Sequence, residues 1–176
     1  HNRVPVHDPD KLKSISQEIQ INAKSNPAVK SFTMGGTPGD YPFFWDLGDT
    51  PAYNWSGSTF GPSDEYVEKI SYPGGYESIL SSTKTCYICP IACRRISTVK
   101  EGPYSFEENV EGPEYETLAA FGSNCGVNNI SAIAKANDLC NILGLDTIST
   151  GSTIAFAMEC YEKKIISNED TDGINL

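Results

Sequence analysis

Apolar residues recur at helical spacing in three stretches of the chain. Leu12, Ile15, Ile19 and Ile21 give residues 10–24 one loose apolar face, and Asp8-Pro9 stands where such a helix opens. Ile130, Ile133, Ala134, Asn137 and then Cys140 or Asn141 trace a second helix, from Asn129 as N-cap to Gly144 as terminator. Ile154, Ala157, Met158 and Tyr161 line a third over residues 153–163, with Asp146, Ser149 and Thr150 as candidate caps. Shorter helices are predicted over residues 62–70, opened by Pro62-Ser63-Asp64-Glu65, and over residues 76–82. Thr98-Val99 reads as a short strand and residues 100–110 as a surface loop.

Between Asn26 and Gly61 neither helical nor strand period survives. Glycine, proline and aromatic residues dominate instead, as in Met34-Gly35-Gly36-Thr37-Pro38-Gly39 and Tyr41-Pro42-Phe43-Phe44-Trp45. An irregular arm is therefore expected, its aromatics covering the core, with a substrate-channel wall as the alternative. The predicted fold class is mostly α: a multihelical domain with a long irregular N-terminal arm. Residues 1–61 form the arm with its one helix, and residues 62–176 form the helical domain.

Composition narrows the function classes. With 39% hydrophobic and 20% charged residues in a 176-residue chain, one ordinary core can be buried. Twenty-three acidic against thirteen basic residues give a net charge of -10, which repels phosphate backbones and argues against a nucleic-acid partner. No apolar run approaches the roughly 20 residues of a membrane span. Six cysteines, three of them clustered, suit a reducing, cytoplasmic and anaerobic setting. A chain that begins at His1 and holds only Met34 and Met158 is expected to be a fragment of a larger enzyme, and the acidic residues 167–173 a linker.

The candidate chemistry starts at Cys86-Tyr87-Ile88-Cys89-Pro90-Ile91-Ala92-Cys93. Three thiols within eight residues repel one another as thiolates and call for a multiply charged cationic centre. Such short spacings let one loop wrap an iron-sulfur cluster corner by corner, and Arg94 and Arg95 put positive charge beside it. Zinc, which favours two separated ligand pairs, and plain or redox-active thiols are the rival readings.

Farther on, Glu111, Glu114 and Glu116 crowd the start of a helix in which Pro113 fits the first position. Favourable placement against the helix dipole explains such acids, while a carboxylate beside Leu118 and Phe121 could be desolvated into a proton-transfer group. Residues 144–151, Gly-Leu-Asp-Thr-Ile-Ser-Thr-Gly, offer amides, hydroxyls and a carboxylate at one helix start. Such a helix end can hold a heterocycle by hydrogen bonds, and a plain helix-turn-helix, the more ordinary reading, would look the same.

These three motifs in this order, from Cys86 to Lys163, resemble the tungsten-dependent aldehyde ferredoxin oxidoreductase family. The resemblance implies a tungsten or molybdenum ion held by two pterin dithiolenes, a [4Fe-4S] cluster, a small aldehyde substrate, and ferredoxin or a similar electron acceptor. It makes Cys86, Cys89 and Cys93 three cluster ligands and Glu116 the carboxylate near the metal that assists proton transfer. The family's D-x-x-G-L-D pterin signature falls on Asn141-Ile142-Leu143-Gly144-Leu145-Asp146, so Asn141, Gly144, Leu145, Asp146 and Thr147 are the candidate pterin contacts, with Asn141 in place of the first aspartate. Lys135 and Asp138 stand where some members share an iron between subunits through E-x-x-H. The fourth cluster cysteine and the pterin-cradling sheet belong to remaining domains of a parent chain, without which this piece would be inactive. Two further readings stay beside this one: an iron-sulfur electron carrier or structural cluster domain without catalysis, and a relative running reductively on an acid or an aromatic thioester.

Overall fold

The computed structural model describes residues 4–57, 64–106 and 110–176. Seven α-helices and one three-stranded antiparallel sheet make up its regular structure. Helix α1 (Pro9–Ser25) opens as expected: Asp8 caps it by accepting the Lys11 amide at 2.9 Å, with Pro9 at the first position. The apolar face of α1 is exposed, however, and none of its residues is buried.

The arm is far more regular than its composition suggested. Asn26 caps helix α2 (Pro27–Gly35), and a 3-10 turn (Thr37–Asp40) leads into α3 (Tyr41–Asp46). Each of these pieces has a proline at its first or second position, where the missing N–H costs nothing, so the breakers that erase a long period mark the starts of short helices. Aromatic cover of the core is what the structure shows: Tyr41 is fully buried, and Trp45 stacks between Tyr41 and Tyr66.

Helix α4 (Asp64–Ile70) follows; Pro62 and Ser63, expected to open it, lie outside the described residues, as do 107–109 of the predicted loop. The helix predicted over 76–82 is instead a 3-10 turn (Gly75–Ser78) running into strand β1 (Leu80–Lys84). Strand β2 (Arg94–Ser97) precedes the predicted Thr98-Val99, and β3 (Val110–Glu111) completes the sheet. Strand β1 pairs with β2 from Lys84↔Arg94 to Leu80↔Ser97, and β2 with β3 through Ile96↔Glu111 and Ser97↔Val110. The cysteine motif is thereby the loop of the β1–β2 hairpin. Serine and threonine in Leu80-Ser-Ser-Thr-Lys suit an exposed edge strand and give no helical period, which is why the expected helix fails.

Helices α5 (Tyr115–Phe121), α6 (Ile130–Leu143) and α7 (Thr147–Glu162) build the rest. The core joins Tyr41, Ile70, Tyr76, Leu118, Ile133 and Ala134 with their neighbours. The boundaries of α6 match expectation: Asn129 accepts the Ala132 amide and Gly144 turns left-handed at φ 68°. The face of α7 does not. Its buried residues are Gly151 and Ala155, not Ile154, which is exposed. A Cβ on Gly151 would lie 2.7 Å from the Ala120 carbonyl carbon, so α5 and α7 touch backbone to backbone, and only small residues permit that approach. Among the described residues no helix is long and apolar enough to cross a membrane.

Candidate functional site

The hairpin loop presents Cys86 to solvent and holds Cys89 and Cys93 half-buried, all as free thiols. The Cys89 amide donates to the Cys86 carbonyl at 3.0 Å, closing a tight turn. Ile88 and Ala92, each immediately before a cysteine, are left-handed at φ 60° and 59°. A β-branched residue rarely adopts that conformation, and strain of this kind persists where surrounding contacts over-determine the backbone. Burial pushes the Cys93 thiol above its ordinary value, and Glu114 and the two neighbouring cysteines push it the same way.

The two arginines play different parts. Arg94 makes a forked ion pair with Glu111, its Nε donating at 3.1 Å, but both side chains are well exposed and the pair contributes little. Arg95 is 1% exposed. Its Nη2 donates to the carbonyls of Thr33 at 2.7 Å, Phe32 at 3.2 Å and Ala92 at 3.3 Å, and so ties the C-terminal end of α2 to the cysteine loop. Its Nε has no partner among the described residues.

Pro113 is not the first residue of α5. Glu114 is the N-cap residue, and the helix begins at Tyr115, which puts Glu116 in its first turn. Leu118 and Phe121 turn into the core while Glu116 faces outward and is exposed, because residues two apart on a helix point to nearly opposite sides. The expected desolvation of Glu116 by Leu118 and Phe121 therefore does not occur within this chain. The half-buried acid is Glu114: it accepts the Thr37 hydroxyl, and Thr37 Oγ1 in turn accepts the Tyr115 amide at 2.9 Å. Thr37 thus does the capping that Glu114 leaves undone. Sequence reasoning missed Thr37 and Gly36, although the Gly-Gly-Thr-Pro run was visible as a break.

The candidate pterin edge is solvent-facing, with residues 141–146 exposed and Thr147 half-buried. Asp146 caps α7 by accepting the Ser149 amide at 2.7 Å, and its contact with Ser149 holds the carboxyl below the usual carboxylate range. Ser149 and Thr150, the other candidate caps, do not cap: Thr150 Oγ1 bonds back to the Asp146 carbonyl at 2.7 Å. Nothing stands within 4 Å of where a Gly144 side chain would project. Lys135 and Asp138 form an ion pair at 3.1 Å.

Three connections draw the motifs together. Glu111 binds Arg94 through its side chain, while its carbonyl accepts Asn137 Nδ2 at 2.7 Å and Asn141 Nδ2 at 3.4 Å. Thr117, next to Glu116, shares a hydrogen bond with Thr147 at 2.9 Å. Glu114 lies close enough to Cys93 to disfavour its thiolate. The cysteine hairpin, the acidic helix start and the Gly-Leu-Asp turn are therefore neighbours in space.

A family profile described as aldehyde ferredoxin oxidoreductase, domains 2 and 3, matches residues 14–176. The chain belongs to the aldehyde ferredoxin oxidoreductase family. It is 46% identical over 110 residues, 56% of its own length and 17% of the relative's, to the tungsten-containing aldehyde ferredoxin oxidoreductase of Pyrococcus furiosus. With the Pyrococcus abyssi protein of the same name it shares 35% identity over 176 residues, 99% of this chain and 28% of that protein. An aliphatic sulfonate oxidoreductase, WOR-like subunit, of Pyrococcus furiosus is 28% identical over 165 residues. The chain thus spans well under a third of the length of the curated relatives it matches first. Within an aldehyde ferredoxin oxidoreductase it corresponds to part of an oxidoreductase-type enzyme larger than itself.

The donor set of the hairpin fits an iron-sulfur cluster. Among the described residues no three His, Cys, Asp or Glu side chains converge on a single metal ion. A cluster presents a separate iron to each thiolate, so its ligands need not converge. The unpartnered Nε of buried Arg95 leaves a cationic group behind the loop. Open space at Gly144 likewise leaves room for a ring system at the head of α7.

Proposed function

We propose that this chain is the part of a tungsten, or molybdenum, bis-pterin oxidoreductase that supplies three ligands to a [4Fe-4S] cluster, one pterin's edge contacts and a proton-transfer carboxylate. The observation that carries this reading is the meeting of all three motifs around Glu111 and Thr117. In the whole protein an aldehyde and water become a carboxylate, with protons released and two electrons passed on to ferredoxin. The metal-pterin group would supply the two-electron chemistry and the cluster the one-electron relay.

The residues of this chain have separate tasks. Cys86, Cys89 and Cys93 bind iron as thiolates, on a loop bent by the left-handed residues that precede Cys89 and Cys93. Glu116, on the solvent-facing side of α5, is free to be enclosed by the rest of a parent chain and to hold the proton lost by the attacking water. Asn141 through Thr147 bind the pterin edge, with Asn141 offering amide donors where a carboxylate would only accept. Such a protein works in the cytoplasm, and aldehyde is the substrate class favoured by the names of the relatives at 35% and 46% identity.

Metal and cofactor analysis of the intact parent protein, purified without oxygen, tests this. Tungsten or molybdenum with pterin, iron and labile sulfide is the expected content. Iron and sulfide alone would instead make it an electron carrier, and a protein without iron would remove the redox function altogether.

A further inference from the structure

We propose that Arg95 is a positioning residue for the cluster, one that fixes the Ala92–Cys93 peptide and places a buried positive charge behind it; the proposal rests on Cys86, Cys89 and Cys93 being ligands. Arg95 is held twice over. Its backbone lies in the central strand, paired with Thr83 on one side and accepting the Gly112 amide at 3.0 Å on the other. Its side chain reaches the last carbonyls of α2 and the Ala92 carbonyl, at 2.7 to 3.3 Å. Between these two anchors lies Cys93, whose thiol can take few orientations once both are formed.

The charge of Arg95 is as informative as its contacts. Among the described residues the guanidinium forms no ion pair, unlike Arg94, whose charge Glu111 offsets. A buried cation that no described acid touches is expensive, and three carbonyl oxygens offset only part of that. A cluster held by thiolates is anionic, and when bound it would add opposite charge near this guanidinium.

Gly36 shows how tightly this corner is built. It is left-handed at φ 59°, and a Cβ there would lie 2.5 Å from Arg95 Nε and 2.9 Å from the Cys93 carbonyl oxygen. One added methyl group would therefore strike the arginine and the ligand-bearing peptide together. This gives a second handle on Arg95 that leaves the arginine itself in place.

The test uses the intact parent protein, prepared without oxygen, as wild type, Arg95→Gln, Arg95→Lys and Gly36→Ala. Iron release to a chelator and the electron paramagnetic resonance-monitored midpoint potential of the cluster are read. Arg95→Gln should release iron about tenfold faster or more, as loss of a supporting contact around a metal site does. At a fixed potential its reduced-to-oxidised ratio should fall about tenfold, a shift of about 59 mV to more negative values for one electron. Arg95→Lys, which keeps the charge but not the fork, should release iron faster while its potential stays near wild type. Gly36→Ala, which displaces the fork but keeps its charge, should release iron faster as Arg95→Lys does, so that a variant too unstable to purify does not decide the matter. Wild-type iron release and potential in Arg95→Gln, or wild-type iron release in Gly36→Ala and Arg95→Lys alike, would overturn the proposal, even if the variants melt earlier. A wild-type protein without iron would instead sink the cluster reading on which it rests.

Discussion

Asn137 donates its side-chain amide to the carbonyl of Glu111 at 2.7 Å, joining α6 to the short third strand. The residue is 4% exposed, and a Cβ on neighbouring Gly112 would come within 3.0 Å of its Oδ1. Through Glu111 the same contact steadies Arg94 at the foot of the cysteine hairpin and Asn141 at the head of the candidate pterin edge. Removing it should loosen both ends of the site together.

Asn137→Ala removes the shorter of two side-chain hydrogen bonds to the Glu111 carbonyl and opens a gap beside α6, at a cost of about 1–3 kcal/mol. A lower melting temperature of the intact protein, with faster amide exchange in β3 and the last turn of α6, is the expected result. Exchange unchanged in β3 would show that the strand is held by its neighbours alone.

Glu116→Gln in the whole enzyme should cut turnover by about 100-fold or more while leaving iron content unchanged, as loss of a general acid-base does. Glu114→Gln should behave differently, because Glu114 is tied to Thr37 and its loss disturbs the start of α5. Its expected effect is on stability first. Steady-state kinetics beside iron assays separate the two, and full turnover in Glu116→Gln would take that residue out of the mechanism.

Gly151→Val should destabilise by about 1–3 kcal/mol, the usual cost of forcing atoms into a filled contact. The new side chain would meet the Ala120 backbone, which cannot rotate away as a side chain could. Displacing α7 in this way would also disturb the Gly151 carbonyl, which accepts the Cys125 thiol at 3.4 Å. Thermal melts of the intact protein check this, and a neutral Gly151→Val would mean that α5 and α7 slide apart freely.

The cap of α7 should be pH-dependent. Asp146 titrates below its ordinary 3.8 because the Ser149 contacts favour the charged form. A carboxylate stabilised in the folded state contributes fully above its unfolded pKa and loses that contribution as pH falls through its lowered folded value. Amide exchange at the first turn of α7, taken relative to the intrinsic rate at each pH, should accordingly speed up as pH drops through and below about 4. Asp146→Asn keeps a neutral cap and should flatten that dependence; identical profiles would assign the effect elsewhere.

The sequence was most legible where local chemistry decides structure. Asp8, Asn129 and Asp146 cap the helices they were expected to cap, since an N-cap needs only its own first turn. The arm was misread because proline after proline destroys a long period while starting short helices, and period was the only signal applied there. The α7 face was misread for another reason. Its contact with α5 is made through Gly151 and Ala155, and small residues leave no hydrophobic stripe to find.

At the candidate site the chemistry-bearing side chains could be seen, but their supports could not. Cys86, Cys89 and Cys93 announce themselves by spacing, whereas Thr37 reaches Tyr115 across 78 positions and Arg95 reaches Thr33 across 62. Contacts between such distant residues leave no periodic trace. The exposure of Glu116 was open to inference, because Leu118 and Phe121 already claimed the inward face of so short a helix.

The left-handed Ile88 and Ala92 carry a consequence for folding. Each holds an unfavourable backbone conformation, at a cost of about 1–3 kcal/mol that the rest of the hairpin must outweigh. Glycine at either place would remove that local cost but give the unfolded chain more shapes to lose, so the two effects oppose each other and neither variant should shift the melting temperature far.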